Sequence, residues 1–243
     1  ELFIPLDDND IRIYACGPTV YDYIHVGNAR PLIIFDVLVR FLKLIYPKVT
    51  YVRNITDVDD KIIVQANQNK ESINNLTERT IKAFSDDADA LFVKKPDFEP
   101  RATEHIQEML KMIKVLLENG NAYLSDGHVL FSVSSMPSYG KLSGMNLSEM
   151  IDGARVEVSD YKKEPADFVL WKPSETGELG WHSDFGFGRP GWHIECSAMS
   201  EKYLGKQFDL TNIDFKLFIT DGCISFVAKK LFISRNSSNL EKK

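Results

Sequence analysis

Two segments that lie far apart in the chain each carry a cysteine beside polar, turn-forming residues. The first is Cys-Gly-Pro-Thr-Val-Tyr-Asp at residues 16–22, with His-Val-Gly-Asn at residues 25–28, and the second is Gly-Trp-His-Ile-Glu-Cys at residues 191–196. Thiolates are preferred ligands of soft and borderline metals, and a strand-to-helix turn offers free backbone N–H groups to an anion. Brought together, the segments would form a soft-metal site next to a phosphate site.

The first segment sits between two predicted elements. Residues 12–15 form a short apolar strand entering a Gly-Pro turn, and residues 29–44 have the apolar spacing of a buried helix. His25 and Asn28 therefore precede a helix N-terminus, where free N–H groups and the helix dipole favour a polyphosphate. The same residue types often serve as helix caps, so the four-residue pattern alone leaves capping and anion binding open.

The cysteines alone do not establish a metal site. Most intracellular cysteines are small buried hydrophobes, and Cys16 and Cys196 have no CxxC spacing that ties them to a metal. On residue type alone, packing is the favoured interpretation for both. Cys223, the third cysteine, is expected to be a core or tail residue.

Six segments, taken in chain order, closely resemble the cysteinyl-tRNA synthetases, a family of class I aminoacyl-tRNA synthetases. These segments are residues 16–22, 25–28, 51–61, 99–103, 167–172 and 188–199. The resemblance runs from about Tyr14 to Leu210, and several of the matching segments are long enough to be very specific. Over that stretch the chain is identified as a member of this family.

The resemblance implies a zinc ion that recognises the side-chain sulfur of the substrate L-cysteine, with Cys16 and Cys196 as the matching protein thiolates. An open coordination position lets a substrate thiolate complete the tetrahedron, which serine cannot do equally well, so no editing step is needed. It also implies a set of residues lining the cysteine pocket: Gly17, Thr19, Thr56 and Trp192.

His25 and Asn28 match the family's variant of the class I HIGH signature, which implies that they are catalytic residues and that, with Gly27, they bind ATP. The family uses ATP, with Mg²⁺, to activate cysteine as cysteinyl-adenylate, and then transfers cysteine to tRNA(Cys) in protein synthesis. Adenylate formation needs little covalent chemistry from the protein, because the site mainly positions the reactants and neutralises charge.

Three acidic residues near the end of the second apolar strand suggest a second metal site. Asp57, Asp59 and Asp60 have the residue type that magnesium prefers, but they also precede the helix predicted from about Lys61. Carboxylates at helix starts are common as caps and as partners of the helix dipole. We therefore favour capping over magnesium binding.

The predicted fold class is α/β, a Rossmann-like nucleotide-binding catalytic domain. Residues 1–97 form its first half, residues 98–188 an α+β connective-peptide insertion implied by the resemblance, and residues 189–243 the start of an incomplete second half. Further elements follow from the pattern: helices at residues 60–69, 73–92 and 103–119, a hairpin of residues 122–125 and 129–133, and a helix carrying Cys196.

From about residue 210 the sequence departs from the family pattern. The last of the five histidines is His193, so no downstream histidine ligand for zinc exists in this sequence, and no segment resembles the lysine-rich KMSKS loop or the anticodon-binding domain. We expect a truncated or frameshifted, impaired member of the family. The alternatives are an inactive remnant, an ATP- or protein-binding fragment, and a related ligase that joins cysteine to an amine.

Composition limits the class of protein further. The net charge of −6, from 29 basic and 35 acidic residues, is unusual for a nucleic-acid-binding protein, so a tRNA partner needs a local basic face or another domain. No apolar run is long enough for a membrane span, and no secretory signal is recognisable. Three cysteines, two of them expected to act as thiolates, predict a reducing cytoplasm.

Overall fold

A computed structural model describes residues 3–139, 159–175, 177–191 and 194–211, and the backbone of residues 219–220 and 223–224. A parallel sheet with strand order β2-β1-β7 is formed by β1 (Ile11–Ala15), β2 (Val49–Arg53) and β7 (Leu210–Thr211). Helix α1 (Val26–Ile45) connects β1 to β2. This arrangement confirms the predicted α/β class.

Helix α1 begins three residues before the predicted start at residue 29. His25 and Asn28 form a reciprocal capping box, which satisfies backbone N–H groups of the first turn and begins the helix at Val26. Pro31 favours a later start because proline is best tolerated in the first turn. The capping box outweighs this preference, and Pro31 lies inside the helix.

The next helices follow the prediction closely. Helix α2 (Asp60–Asn69) has the predicted bounds, and α3 (Ile73–Ala90) ends two residues early, with Phe92 in the left-handed region at φ 57°. The helix predicted at residues 103–119 is a 3₁₀ turn at Ala102–His105 followed by α4 (Ile106–Glu118).

The second sheet is antiparallel, with the order β3-β4-β5-β6. Its strands are β3 (Ala122–Ser125), β4 (His128–Phe131), β5 (Phe168–Pro173) and β6 (Gly188–Pro190). The predicted hairpin is confirmed: Asp126 and Gly127 both have positive φ, as a tight two-residue turn requires. Strand β4 stops at Phe131 because a 3₁₀ turn follows at Val133–Ser135.

The antiparallel sheet extends two residues beyond the predicted end of the insertion at Gly188, because Arg189 and Pro190 pair with β5. The domain boundaries themselves stay predictions.

One hydrophobic cluster joins the two sheets. It includes buried side chains from both sheets, from α4 and from α5 (Ile194–Leu204): Tyr14, Val52, Met109, Phe131, Trp171, Cys196 and Met199. Helix α5 is thus held in the core rather than at the surface. This packing fixes the position of Cys196.

Beyond β7, the described backbone contains a short antiparallel pair, β8 (Ile219–Thr220) and β9 (Cys223–Ile224). The other residues of the predicted non-matching tail lie outside the described part of the chain. Among the helices of that part, none is long and apolar enough to cross a membrane.

Candidate functional site

The two predicted thiols lie side by side. Cys16 immediately follows β1, Cys196 is the third residue of α5, and their Sγ atoms are 3.5 Å apart although 180 positions separate them in sequence. Both are free cysteines. Tetrahedral zinc with Zn–S bonds near 2.3 Å separates two sulfurs by about 3.8 Å, so the pair fits two corners of such a site.

The environment of Cys196 favours the neutral thiol. The hydrogen bond with Cys16 raises the pKa of Cys196 well above its usual value, and complete burial acts in the same direction. Tyr14, whose pKa burial also raises, is hydrogen-bonded to the Cys196 sulfur. A metal binding here must therefore displace protons from the thiols.

Asn54 connects the parts of this site. Its side chain is fully buried, its Oδ1 accepts the backbone N–H of Gly17 at 3.0 Å, and its Nδ2 donates to Thr56 Oγ1 at 3.0 Å. The same Oδ1 lies 3.9 Å from Cys196 Sγ. Asn54 thus holds the turn after β1, the chain after β2 and the thiol of α5 in one arrangement.

The turn after β1 packs closely against the chain after β2. A Cβ atom on Gly17 would lie 1.7 Å from the carbonyl oxygen of Asn54, so this contact requires glycine. Thr19 and Thr56 form a parallel β-bridge, with Val20 N donating to Thr56 O and Thr56 N to Pro18 O, both at 3.1 Å. The fold therefore brings three predicted pocket residues together, while Trp192 lies outside the described residues.

The N-terminus of α1 lies in the same cavity as Cys16. His25 Nδ1 accepts the N–H of Gly27 at 3.0 Å, and Asn28 Oδ1 accepts the N–H of His25 at 3.1 Å. Gly27 and Asn28 line a cavity of about 110 Å³ together with Cys16 and Gly17. The capping interpretation of His25 and Asn28 is confirmed, and their role in ATP binding stays a prediction.

A second cavity, of about 370 Å³, opens between the two sheets. Thr56, Gly191 and Glu195 are among the residues that line it. Glu195 is 5% exposed, and its Oε1 lies 3.9 Å from Cys196 Sγ. Glu195 thus places a buried carboxyl group next to Cys196 at this cavity.

Three residues of the site were missed by the sequence analysis: Tyr14, Asn54 and Glu195. Each is adjacent in sequence to, or two positions from, a predicted site residue, which is the one signal that pointed to them. Tyr14 lies near the end of β1, Asn54 directly follows β2, and Glu195 is the second residue of α5.

The three acidic residues after β2 have separate structural partners. Asp59 caps α2 by accepting the N–H of Lys61, and Asp57 accepts the N–H and hydroxyl of Thr103 at 2.9 and 2.6 Å. In the described ranges, no group of three or more His, Cys, Asp or Glu side chains is arranged to hold a metal. The preference for capping is confirmed at Asp59.

Asp60, the first residue of α2, links this helix to the antiparallel sheet. It pairs with Lys172 of β5 and, at 3.1 Å, with Arg189 of β6. Partial burial raises the pKa of Asp60, but the hydrogen bonds and charges of these two cations outweigh it and lower the pKa below the usual value.

Comparison with known proteins gives a consistent family. A family model described as "tRNA synthetases class I (C) catalytic domain" matches residues 2–217. The cysteine–tRNA ligase of Gluconobacter oxydans is 60% identical over 208 residues, which are 86% of this chain and 46% of that protein. The cysteine–tRNA ligase of Rhodospirillum rubrum is 58% identical over 210 residues, with the same coverage. The chain thus spans about half the length of the curated relatives it matches.

Solved structures support the fold. The structure of Mycobacterium tuberculosis methionyl-tRNA synthetase in complex with methionyl-adenylate matches 83% of this chain and 51% of its own, with a TM-score of 0.60 and 12% sequence identity. At that identity the likeness concerns the fold alone.

Proposed function

Because the chain belongs to the family of class I (C) tRNA synthetase catalytic domains, we propose that it carries the cysteine-selecting and ATP-binding part of a cysteine–tRNA ligase. The observation that carries this proposal is the approach of the Cys16 and Cys196 sulfurs to 3.5 Å, with Cys16 lining the same cavity as the first turn of α1. No local sequence pattern requires the two sulfurs to meet. A metal site that selects thiols, next to a phosphate site, does require it.

In the proposed reaction the carboxylate of L-cysteine attacks the α-phosphorus of ATP, which forms cysteinyl-adenylate and releases pyrophosphate. The N-terminus of α1 would receive the phosphates, because the helix dipole favours negative charge there. His25 and Asn28 already hold that turn in place, and Gly27 leaves room for the His25 ring, which a Cβ atom would approach to 2.7 Å. These residues act by positioning and by charge neutralisation.

Selection of cysteine is assigned to the thiol pair. Cys16 and Cys196 would hold a zinc ion, and a bound zinc prefers the sulfur of cysteine to the hydroxyl of serine. Gly17, Thr19, Thr56 and Trp192 would line the amino acid pocket. Asn54 positions this pocket through its bonds to Gly17 and Thr56.

Transfer of the activated cysteine to tRNA(Cys) is the second step of the proposed function. This assignment takes the activity that the relatives' names state and proposes it for a chain that covers about half of each relative's length. We assign the reaction to the reducing cytoplasm, where the two thiols stay reduced.

Metal content and pyrophosphate exchange test the proposal. Any zinc that the purified chain retains should be lost in Cys196→Ser and kept in the matched control Cys223→Ser. Exchange of labelled pyrophosphate into ATP should depend on cysteine and not on serine. Zinc binding that Cys196→Ser leaves unchanged, or exchange supported equally by serine, would contradict the assignment of the thiols to cysteine selection.

A further inference from the structure

The Cys16 and Cys196 sulfurs are close enough to bond to each other. Both side chains are free cysteines, and their Sγ atoms lie 3.5 Å apart. A disulfide joins sulfurs about 2.05 Å apart, so the two atoms need to approach each other by about 1.5 Å. The fold therefore holds two thiols that are distant in sequence at a separation from which a disulfide can form.

The two thiols differ in their access to solvent. Cys196 is completely buried, and its sulfur also lies 3.9 Å from Asn54 Oδ1. Cys16 is only partly buried, on the turn after β1, and it lines the cavity of about 110 Å³ at the first turn of α1. A small oxidant can reach Cys16 through this cavity, whereas complete burial shields Cys196.

The surroundings of Cys196 hold its sulfur against Cys16. The two sulfurs are joined by a hydrogen bond, and the Tyr14 hydroxyl is hydrogen-bonded to the Cys196 sulfur from within the core. An accessible cysteine next to a second thiol is the arrangement of redox-sensing sites, where the second thiol reacts with the first oxidation product. Groups held in contact react as if at a very high local concentration. Cys196 is thus positioned to react with an oxidised Cys16.

We propose that Cys16 and Cys196 are a peroxide-sensitive pair, in which oxidation of Cys16 leads to a Cys16–Cys196 disulfide. First, the Cys16 sulfur attacks one oxygen of hydrogen peroxide, the O–O bond breaks, and the thiol proton leaves with the second oxygen as water. Next, the Cys196 sulfur attacks the sulfur of the Cys16 sulfenic acid, the S–O bond breaks, and the Cys196 proton leaves with that oxygen as water. The two thiols lose two electrons and two protons, and one peroxide gains them to give two water molecules.

The disulfide would close the proposed metal site. Metals bind thiolates, and neither sulfur of a disulfide is a thiolate. If Cys16 and Cys196 hold zinc, as the proposed function states, zinc binding and disulfide formation exclude each other. A thiol reductant reverses the oxidation by thiol–disulfide exchange, so the pair can open again in a reducing compartment. The oxidation itself needs no metal and does not depend on the proposed function.

Peptide mapping of the three cysteines tests the pair. The full chain, freed of metal with a chelator, is oxidised with hydrogen peroxide, digested without reductant and analysed by mass spectrometry. In the folded chain the peptides of Cys16 and Cys196 should be joined, and dithiothreitol should separate them. In urea the pair that is nearer in sequence, Cys196 and Cys223, should instead prevail by about tenfold or more, because closing a shorter loop costs less entropy.

Variants of each cysteine test the order of the two steps. In Cys196→Ser the sulfenic acid of Cys16 has no thiol to react with, so a dimedone probe should label Cys16. In Cys16→Ser the buried Cys196 should stay a thiol, with labelling lower by about tenfold or more. Cys223→Ser is the matched control and should form the disulfide as the unchanged chain does. Circular dichroism of all three variants checks that the helices are intact.

Three results would overturn the proposal. They are Cys16 and Cys196 both remaining thiols after peroxide treatment of the folded chain, Cys16 oxidised to sulfinic acid without linkage, and a folded chain in which Cys196 joins Cys223. Added zinc separates this inference from the proposed function. Disulfide formation slowed by about tenfold or more at saturating zinc would support both. A disulfide that forms equally fast with zinc would support the pair and contradict the metal site.

Discussion

Replacing Asn54 by alanine should destabilise the protein through the centre of the candidate site. The Asn54 side chain is fully buried and makes two hydrogen bonds of 3.0 Å, one with Gly17 N and one with Thr56 Oγ1. A net hydrogen bond contributes about 1 kcal/mol, and a buried polar group left without a partner costs about 1–3 kcal/mol. Asn54→Ala should therefore lower the free energy of unfolding by about 2–4 kcal/mol.

Urea denaturation followed by the fluorescence of buried Trp171 measures this loss. Asn69→Ala is a matched control, because Asn69 also makes two side-chain hydrogen bonds, with Gln65 and Glu71, but on the exposed surface of α2. That variant should change the free energy of unfolding by less than about 0.5 kcal/mol. Equal losses for the two variants would show that Asn54 does not hold the site together.

Thr56→Val separates the two bonds of Asn54. It removes the hydroxyl that accepts from Asn54 Nδ2 and leaves the bond to Gly17 N in place. The expected loss is about 1–3 kcal/mol, because the buried Nδ2 of Asn54 loses its acceptor, and it should stay below the loss in Asn54→Ala, which also removes the bond to Gly17 N. A loss as large as that of Asn54→Ala would assign the stability to Thr56 packing rather than to the bridge from Asn54 to Gly17.

Two further predictions concern the ends of helices. His25→Ala should lower the free energy of unfolding by about 1 kcal/mol through loss of the α1 cap, and His25→Ser, which keeps a capping oxygen, should restore it in thermal unfolding while ATP binding stays impaired. For Asp60, the lowered folded-state pKa means that its stabilising contribution is present above the unfolded value of 3.8 and is lost as pH falls through the folded value. Asp60→Asn should remove that acid-side loss from a plot of unfolding free energy against pH, and an unchanged plot would exclude the bridge to Lys172 and Arg189 as its source.

Local signals predicted the helices that local interactions define. Helix α2 has the predicted bounds because Asp59 caps its start and Lys70, in the left-handed region, ends it. The hairpin was predictable because Asp126-Gly127 suits a turn that needs two positive φ angles. The start of α1 was wrong by three residues because Pro31 and the capping box favour different starts.

The site depends on contacts that no local pattern encodes. The two thiols meet across 180 residues, and only the family resemblance indicated that they do. Asn54 was missed because a polar residue at a strand end usually marks the end of the strand, and its partner Gly17 lies 37 positions away. Glu195 was missed because nothing in its sequence neighbourhood shows that the first turn of α5 is buried.

Helix α1 connects the candidate site to the parallel sheet. Its N-terminus lines the cavity that contains Cys16, and its inner face is fixed by the stacking of Phe35 on Tyr51 of β2. A zinc ion held by Cys16 and Cys196, as proposed above, would join α5 to the turn after β1. Because ligand binding to the folded state shifts the equilibrium towards that state, such an ion would also stabilise the turn that packs against Asn54.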